Sequence, residues 1–262
     1  MSTTISSEEM DRYDADGYMV IEDLLTPSEV DDTRMNLRRL IEEADDNGVH
    51  PDPGMIVAFE EAFSLVGKSL DEKELGIRKF QCFAERDTFF WKQVTQSRIR
   101  EIADEILGSG SRMFQSLALV KPPLIGVAKE WHQDVAYFAV EPKTEVIGIW
   151  IALDDATLEN GCMQVVPGSH KLGLKEHVQG DTGWQLPDDR IVPVEDQVLK
   201  LPMKAGTGLI FNSLTYHYTD HNYSDGRRRA IQYHYVSDAT VQRESGDKVG
   251  YYLDSVEPPW GV

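Results

Sequence analysis

The chain has only two cysteines, Cys82 and Cys162, and they stand far apart. They form no C-x-x-C pair, so neither a disulfide framework nor a cysteine-based zinc or redox centre can be built from them. No apolar run approaches the ~20 residues that a membrane-spanning helix requires. The first stretch, MSTTISSEEMDRYDADGY, is polar and acidic, unlike a secretory leader with an apolar centre. Basic residues are also scarce. Against 45 acidic residues there are 26 Lys and Arg, for a formal net charge of −19, and the sequence pI is near 4.7. Such a balance repels phosphate backbones and anionic lipid, which removes nucleic acid and membrane surfaces from the expected partners. It also argues against a large polyanionic substrate such as an acyl-CoA, unless a local basic patch overrides the net charge. Internal repeats and low-complexity tracts are absent. A reducing compartment, the cytoplasm, and a small-molecule substrate are expected, while the oligomeric state stays open.

What is present reads as one large domain, since 262 residues suffice for a sizeable core. Helical patterns come first. Residues 6–16 suit a short helix, and GYMVIEDLL (17–25) holds a strand-like run. Thr26-Pro27 with Glu29 is a capping box, with proline at the first helical position. It opens a helix that is expected to end near Asp46-Asn47-Gly48. Residues 48–75 read as a partly ordered excursion, and about 87–107 as a single further helix. From Met113 the pattern changes to short apolar runs separated by turns: MFQSLALV, VIGIWIALDD, MQVVPGSH, GTGLIFN and RRAIQYHYV. Successive runs of this kind predict a β sandwich or barrel rather than alternating β-α units. Gly161, Pro167 and Gly168 suit tight turns, and the Leu-Asp-Asp at 153–155 a solvated acidic turn.

The stretch KEWHQDVAYF (129–138) carries the chemistry. Residues i and i+2 of an extended segment project from one face, so His132 and Asp134 point the same way. A neutral imidazole and a carboxylate so placed are two-thirds of a facial triad for non-haem iron, which needs a second imidazole. Spacing alone leaves several candidates. His217 follows the apolar run AGTGLIFNSLTY; His170 ends a PGSH turn, and His177 and His221 lie in polar stretches. His234 shares a strand face with Arg228, Ala230 and Gln232, which predicts an inward position. Arg228 stands eleven positions after His217. Its guanidinium is the group that forks a carboxylate inside a protein. Arg227 and Arg229, by the same alternation, are expected to face solvent.

Four stretches together resemble a known family: DGYMVIEDLLTPSEV, WHQD, WIALDDATLENGCMQVVPGSHKLG and HYTDHNYSDGRRRA. The chain resembles the phytanoyl-CoA dioxygenase family of iron(II)- and 2-oxoglutarate-dependent oxygenases, from about residue 10 to 236. The resemblance implies a mainly β fold with flanking helices, a double-stranded β-helix or cupin-like jelly roll. The helical part would cover about 1–110, the jelly-roll core 111–237 and a C-terminal cover 238–262. It implies that His132, Asp134 and His217 bind Fe(II) and that Arg228 takes the far carboxylate of 2-oxoglutarate. Trp150, Thr219, Leu117 and Lys79, or its neighbour Arg78, would complete the co-substrate site, with O2 as oxidant. Hydroxylation of an unactivated carbon, with release of succinate and CO2, is the implied outcome. Halogenating relatives lack the carboxylate that Asp134 provides. Where the family commonly has glycine after the distal histidine this chain has Tyr218, which is expected to narrow the mouth of the site. Two other readings share the scaffold: a non-catalytic metal or 2-oxoglutarate binding module, and a cupin-like metalloenzyme without 2-oxoglutarate.

Overall fold

The computed structural model describes residues 5–45, 49–60 and 67–252. Its helices begin where the sequence carries caps. Helix α1, Ser7–Asp16, opens on a reciprocal Ser6–Glu9 capping box and stops at Gly17, whose φ of 79° is the left-handed cap glycine adopts readily. Helix α2, Pro27–Glu43, opens on Thr26 and Glu29 and buries Val30, Leu37, Leu40 and Ile41 on one face. Its expected end at 46–48 falls outside the described residues, and the helix closes earlier, at Ala44. The stretch read as a partly ordered excursion contains more structure. Helix α3, Leu70–Gly76, has its own Ser69–Glu72 capping box, and two strands flank it. Those strands are held by pairing to a sheet edge, a tertiary cause that local pattern does not reveal. The single helix expected over 87–107 is two, α4 (Thr88–Thr95) and α5 (Arg98–Leu107). Ser97 divides them, because its hydroxyl accepts the Ile99 amide and caps a new helix.

Twelve strands build the two main sheets: β1 (Tyr18–Ile21), β2 (Ile56–Phe59), β3 (Ile77–Gln81), β4 (Arg112–Lys121), β5 (Lys129–His132), β6 (Val146–Ala152), β7 (Met163–Val165), β8 (Leu199–Leu201), β9 (Gly208–Asn212), β10 (His217–Thr219), β11 (Arg228–Val236) and β12 (Tyr251–Tyr252). The larger sheet runs β1-β9-β6-β11-β4-β3-β2, with β12 also on β4, and the smaller β8-β7-β10-β5. The fold is a jelly roll, mainly β, with the N-terminal helices packed on the outside of the larger sheet. Of the expected C-terminal cover, 238–262, the described part ends at β12, which pairs with β4, and residues 253–262 lie outside the described residues.

The larger sheet is buried on both faces, and strict alternation sorts its side chains. On β6, Ile147, Ile149 and Ile151 join the core beneath the helices. Trp150 and Ala152 join a second core between the sheets, with Met163, Val165 and Phe211. On β11, Ile231, Tyr233 and Tyr235 face the helices, which leaves Arg228, Gln232 and His234 facing inward. The helices over that other face correct two expectations. Arg229 does not face solvent: it points under the helices, where its Nε and Nη2 fork Asp154 at 2.9 Å each and its Nη1 reaches Glu74 at 3.1 Å. Asp154 is accordingly a half-buried partner rather than a solvated turn residue. Arg227 also pairs with Glu74, at 2.7 Å. Helices α2 and α3 cover the face that alternation alone assigns to water.

Candidate active site

Strand β5 ends on His132, and Asp134 already begins a 3₁₀ turn, Asp134–Tyr137. Gln133 between them stays extended, with φ −117° and ψ 123°, so the two side chains still share a face. His217 opens β10 directly opposite His132 in the register, and the two rings lie 4.0 Å apart, centre to centre. Asp134 Oδ1 is 3.2 Å from His132 Nε2 and 3.4 Å from His217 Nε2. Adjacent ligands on an ion with bonds of ~2.1 Å stand about 3.0 Å apart, so the three atoms fit one metal with a small inward adjustment. They are the one group of this kind among the described residues.

Neighbouring hydrogen bonds set the chemistry of each ligand. His132 Nδ1 donates to the Glu130 carbonyl at 2.7 Å, and His217 Nδ1 to the Thr215 carbonyl at 3.0 Å. Each therefore carries its proton on Nδ1 and presents the Nε2 lone pair to the centre. Asp134 Oδ2 accepts from Gln232 Nε2 and from His234 Nε2, both at 2.8 Å. That leaves Oδ1 facing the imidazoles. Gln133 pins the turn: its backbone N–H donates to His177 Nε2 at 3.0 Å and its amide to the Leu214 carbonyl at 2.7 Å. Burial, and then the neighbouring His217 ring, pushes the His132 imidazole down to about 3. Burial alone would raise the Asp134 carboxyl, but His217, His234 and the hydrogen bonds hold it well below the usual range. Neutral imidazole and ionised carboxylate are the states in which these groups bind a metal.

Beside this triad lies a cavity of about 160 Å³ that all the expected residues line: Lys79, Arg78, Leu117, Trp150, Thr219 and Arg228. Arg228 is 2 % exposed and sits 5.5 Å over the Trp150 ring. Its Nε and Nη1 have no hydrogen-bond partner. Burial pushes the guanidinium down to about 10. A buried fork of unpaired donors beside the triad fits a carboxylate of a bound ligand.

Tyr218 does not narrow the mouth. It alternates with His217 and Thr219 and points the other way, stacking on Trp131 at 5.4 Å with its hydroxyl on Asp220. His170 packs beside α1 and bonds the Asp14 carbonyl, and exposed His221 lies against Tyr223. His234 supports Asp134 rather than replacing His217. Three polar cavity residues escaped the sequence reading: Lys121, Lys129 and Tyr137. Lys121 could have been found, since it lies two positions beyond Leu119 on the face of β4 that carries Leu117. For Lys129 and Tyr137 no sequence signal stands out.

A jelly roll with two imidazoles and one carboxylate closing on a point, and an unpaired arginine behind them, is the architecture of the non-haem iron, 2-oxoglutarate-dependent oxygenases. The sequence profile of the phytanoyl-CoA dioxygenase (PhyH) family matches residues 13–230, and the chain belongs to that family. A phytanoyl-CoA dioxygenase of Arabidopsis thaliana is 28 % identical over 253 residues, covering 89 % of each chain. The phytanoyl-CoA dioxygenase domain-containing protein 1 of Danio rerio is 26 % identical, with 90 % of this chain and 92 % of that one covered. Among solved structures, the non-haem α-ketoglutarate-dependent carbocyclase SnoK from nogalamycin biosynthesis superposes with a TM-score of 0.75 at 23 % identity, covering 96 % of both chains. EctD from S. alaskensis, solved with 2-oxoglutarate and 5-hydroxyectoine, gives 0.74 at 19 % identity, covering 97 % of this chain and 85 % of that one.

Proposed function

We propose that the protein is an Fe(II)- and 2-oxoglutarate-dependent dioxygenase that hydroxylates an unactivated carbon of a small organic molecule. The observation that carries this reading is the buried guanidinium of Arg228, unpaired and facing the same cavity as His132, Asp134 and His217. A metal-binding scaffold without an oxo-acid co-substrate has no need of it. His132 and His217 would hold iron through Nε2, and Asp134 through Oδ1. Arg228 would fork the far carboxylate of 2-oxoglutarate with help from the Thr219 hydroxyl. Trp150 and Leu117 would flank its carbon chain, and Lys79 would face the carboxylate nearer the metal. Bound there, iron and 2-oxoglutarate supply the oxidation: O2 is consumed, 2-oxoglutarate leaves as succinate and CO2, and the substrate gains a hydroxyl. The chain's own contribution is to keep Asp134 in the ligand set, to orient both imidazoles and to screen the centre within a mostly apolar wall. Both cysteines are free, no described helix is long and apolar enough to cross a membrane, and the proposed compartment is the cytoplasm.

The test is turnover of iron-loaded protein with 2-oxoglutarate, isotopically labelled O2 and a panel of small molecules. Succinate should form, and one labelled oxygen atom should appear in the product. Protein that binds 2-oxoglutarate yet forms no succinate with any substrate, even slowly and uncoupled, would be a binding module instead.

A further inference from the structure

The cavity reverses the charge of the molecule around it. The chain carries a formal net charge of −19, yet Asp134 is the sole carboxylate lining a cavity that holds Arg78, Lys79, Lys121, Lys129 and Arg228. On the proposed function, the charges of Fe(II), Asp134, 2-oxoglutarate and Arg228 cancel. Lys79 faces the co-substrate. Lys121 donates to the Val127 carbonyl, and Lys129 donates to the Tyr137 hydroxyl at 2.7 Å and to the Thr182 and Trp184 carbonyls at 3.0 and 3.1 Å. Arg78 is left over. It has no ion-pair or hydrogen-bond partner among the described residues.

Arg78 reaches the cavity through an irregularity in the strand. Between β2 and β3 the register pairs Ala58 with Lys79 and then Phe59 with Ile77, which skips Arg78. Neighbouring residues of a regular strand point to opposite faces. Here the extra residue of a bulge turns Arg78 to the side of Lys79, while Ile77 and Phe80 stay fully buried in the core. Bulges re-aim side chains in this way beside active sites. The Arg78 charge also acts on Lys79, Lys121, Lys129 and Tyr137, groups on several elements around the cavity. Its guanidinium therefore stands over the cavity rather than on the outer surface.

Building on the proposed function, we propose that Arg78 anchors a carboxylate on the primary substrate, which makes that substrate a small carboxylic acid. Its carbon skeleton would run along Leu119, Val127 and Ala128, which line the same cavity, towards the triad. A planar guanidinium matches a planar carboxylate through two parallel hydrogen bonds. A single such fork, with the neighbouring lysine amines already engaged, suits a monoanion better than a phosphate.

The experiment is calorimetry on anaerobic iron-loaded protein already saturated with 2-oxoglutarate. The probes are aliphatic and aromatic carboxylic acids, each beside its primary amide and the phosphate monoester of the matching alcohol. At least one acid should bind about tenfold or more tightly than its amide, the gap expected for a partly desolvated charged pair. In Arg78→Gln that ratio should fall to about twofold, and Arg78→Lys should restore part of it. Acids that bind no better than amides, a ratio unchanged in Arg78→Gln, or a preference for the phosphate esters would each overturn the assignment. Failure of 2-oxoglutarate itself to bind in the first titration would overturn the iron and 2-oxoglutarate reading, and this assignment with it.

Discussion

Arg228 and Arg229 are adjacent in sequence, yet they should fail in opposite ways when replaced by methionine. Arg228 is buried with two guanidinium nitrogens unpaired in the ligand-free protein. An apolar side chain of similar length removes an uncompensated buried cation, so the ligand-free fold should be no less stable. On the proposed function, what disappears is the fork for the far carboxylate of 2-oxoglutarate. Truncating one partner of a desolvated charged pair costs about 2–4 kcal/mol, so the dissociation constant should rise about 30- to 1,000-fold. Arg229 has its fork filled. Asp154 accepts at 2.9 Å from both Nε and Nη2, and Glu74, whose side chain is 1 % exposed, at 3.1 Å from Nη1. Breaking a buried pair costs about 3–5 kcal/mol. Here Glu74 keeps Arg38 and Arg227 at 2.7 Å, and Asp154 keeps Arg34 at 3.2 Å. A cost below that range, about 2–3 kcal/mol, is therefore expected, or roughly 5–10 °C in Tm for a chain of this size. Calorimetric titration of 2-oxoglutarate and thermal melts of the ligand-free variants separate the two. Should Arg229→Met lose 2-oxoglutarate while Arg228→Met keeps it, the assignment of the buried fork is wrong.

His234→Leu removes one of two donors to Asp134 Oδ2, and loss of such a supporting bond typically lowers metal affinity 10- to 100-fold; an anaerobic Fe(II) titration that shows no change would refute the supporting role. Burial pushes the Lys121 ammonium down to about 6, so between there and its ordinary value of 10.5 the unfolded chain holds a proton that the native state lacks. Stability should therefore rise with pH across that window, by up to about 1.4 kcal/mol per unit from this one group, and urea melts of ligand-free Lys121→Met at pH 7 and 9 should show that slope removed. Gly148→Ala would set a Cβ 2.6 Å from the Phe211 ring, which packs 4.9 Å from His217; about 1–3 kcal/mol of lost stability is expected, and a melt indistinguishable from the parent would show that the ring can move aside.

The parts of the site that were legible in the sequence are those whose cause is local. A capping box satisfies its own helix end, and an H-x-D pair needs only one extended residue between its members. Thr26–Glu29 and His132–Asp134 could thus be read directly. The linking of His217 to His132 could not, because the register of β10 against β5 joins residues on separate strands; there the family resemblance supplied what spacing left open among several histidines. Alternation correctly turned Arg228 and His234 inward. It misplaced Arg229 because it says which residues share a face and nothing about what covers that face. The bulge at Arg78 was invisible for a related reason: an extra residue is defined only against its partner strand.

That double coverage of the larger sheet bears on how the site is held. Strand β11 presents Arg228, Gln232 and His234 to the interior, where Arg228 lines the cavity and the other two bond Asp134 of the triad. Its other face is fixed beneath the helices. Ile231, Tyr233 and Tyr235 are fully buried there, and the Tyr233 hydroxyl donates to Gln93 of α4 at 2.6 Å. Gln93 in turn donates to Thr33 of α2 at 2.8 Å. Each buried large side chain contributes about 1.5–3 kcal/mol, so the strand cannot shift without loosening several of these at once. The inward residues inherit that rigidity, since in a pleated strand the two faces move together. Asp134, by contrast, sits on a 3₁₀ turn with no ladder of its own. Gln232 and His234 transfer the stiffness of β11 to it through two bonds to a single oxygen, and the free oxygen is left aimed at the metal position.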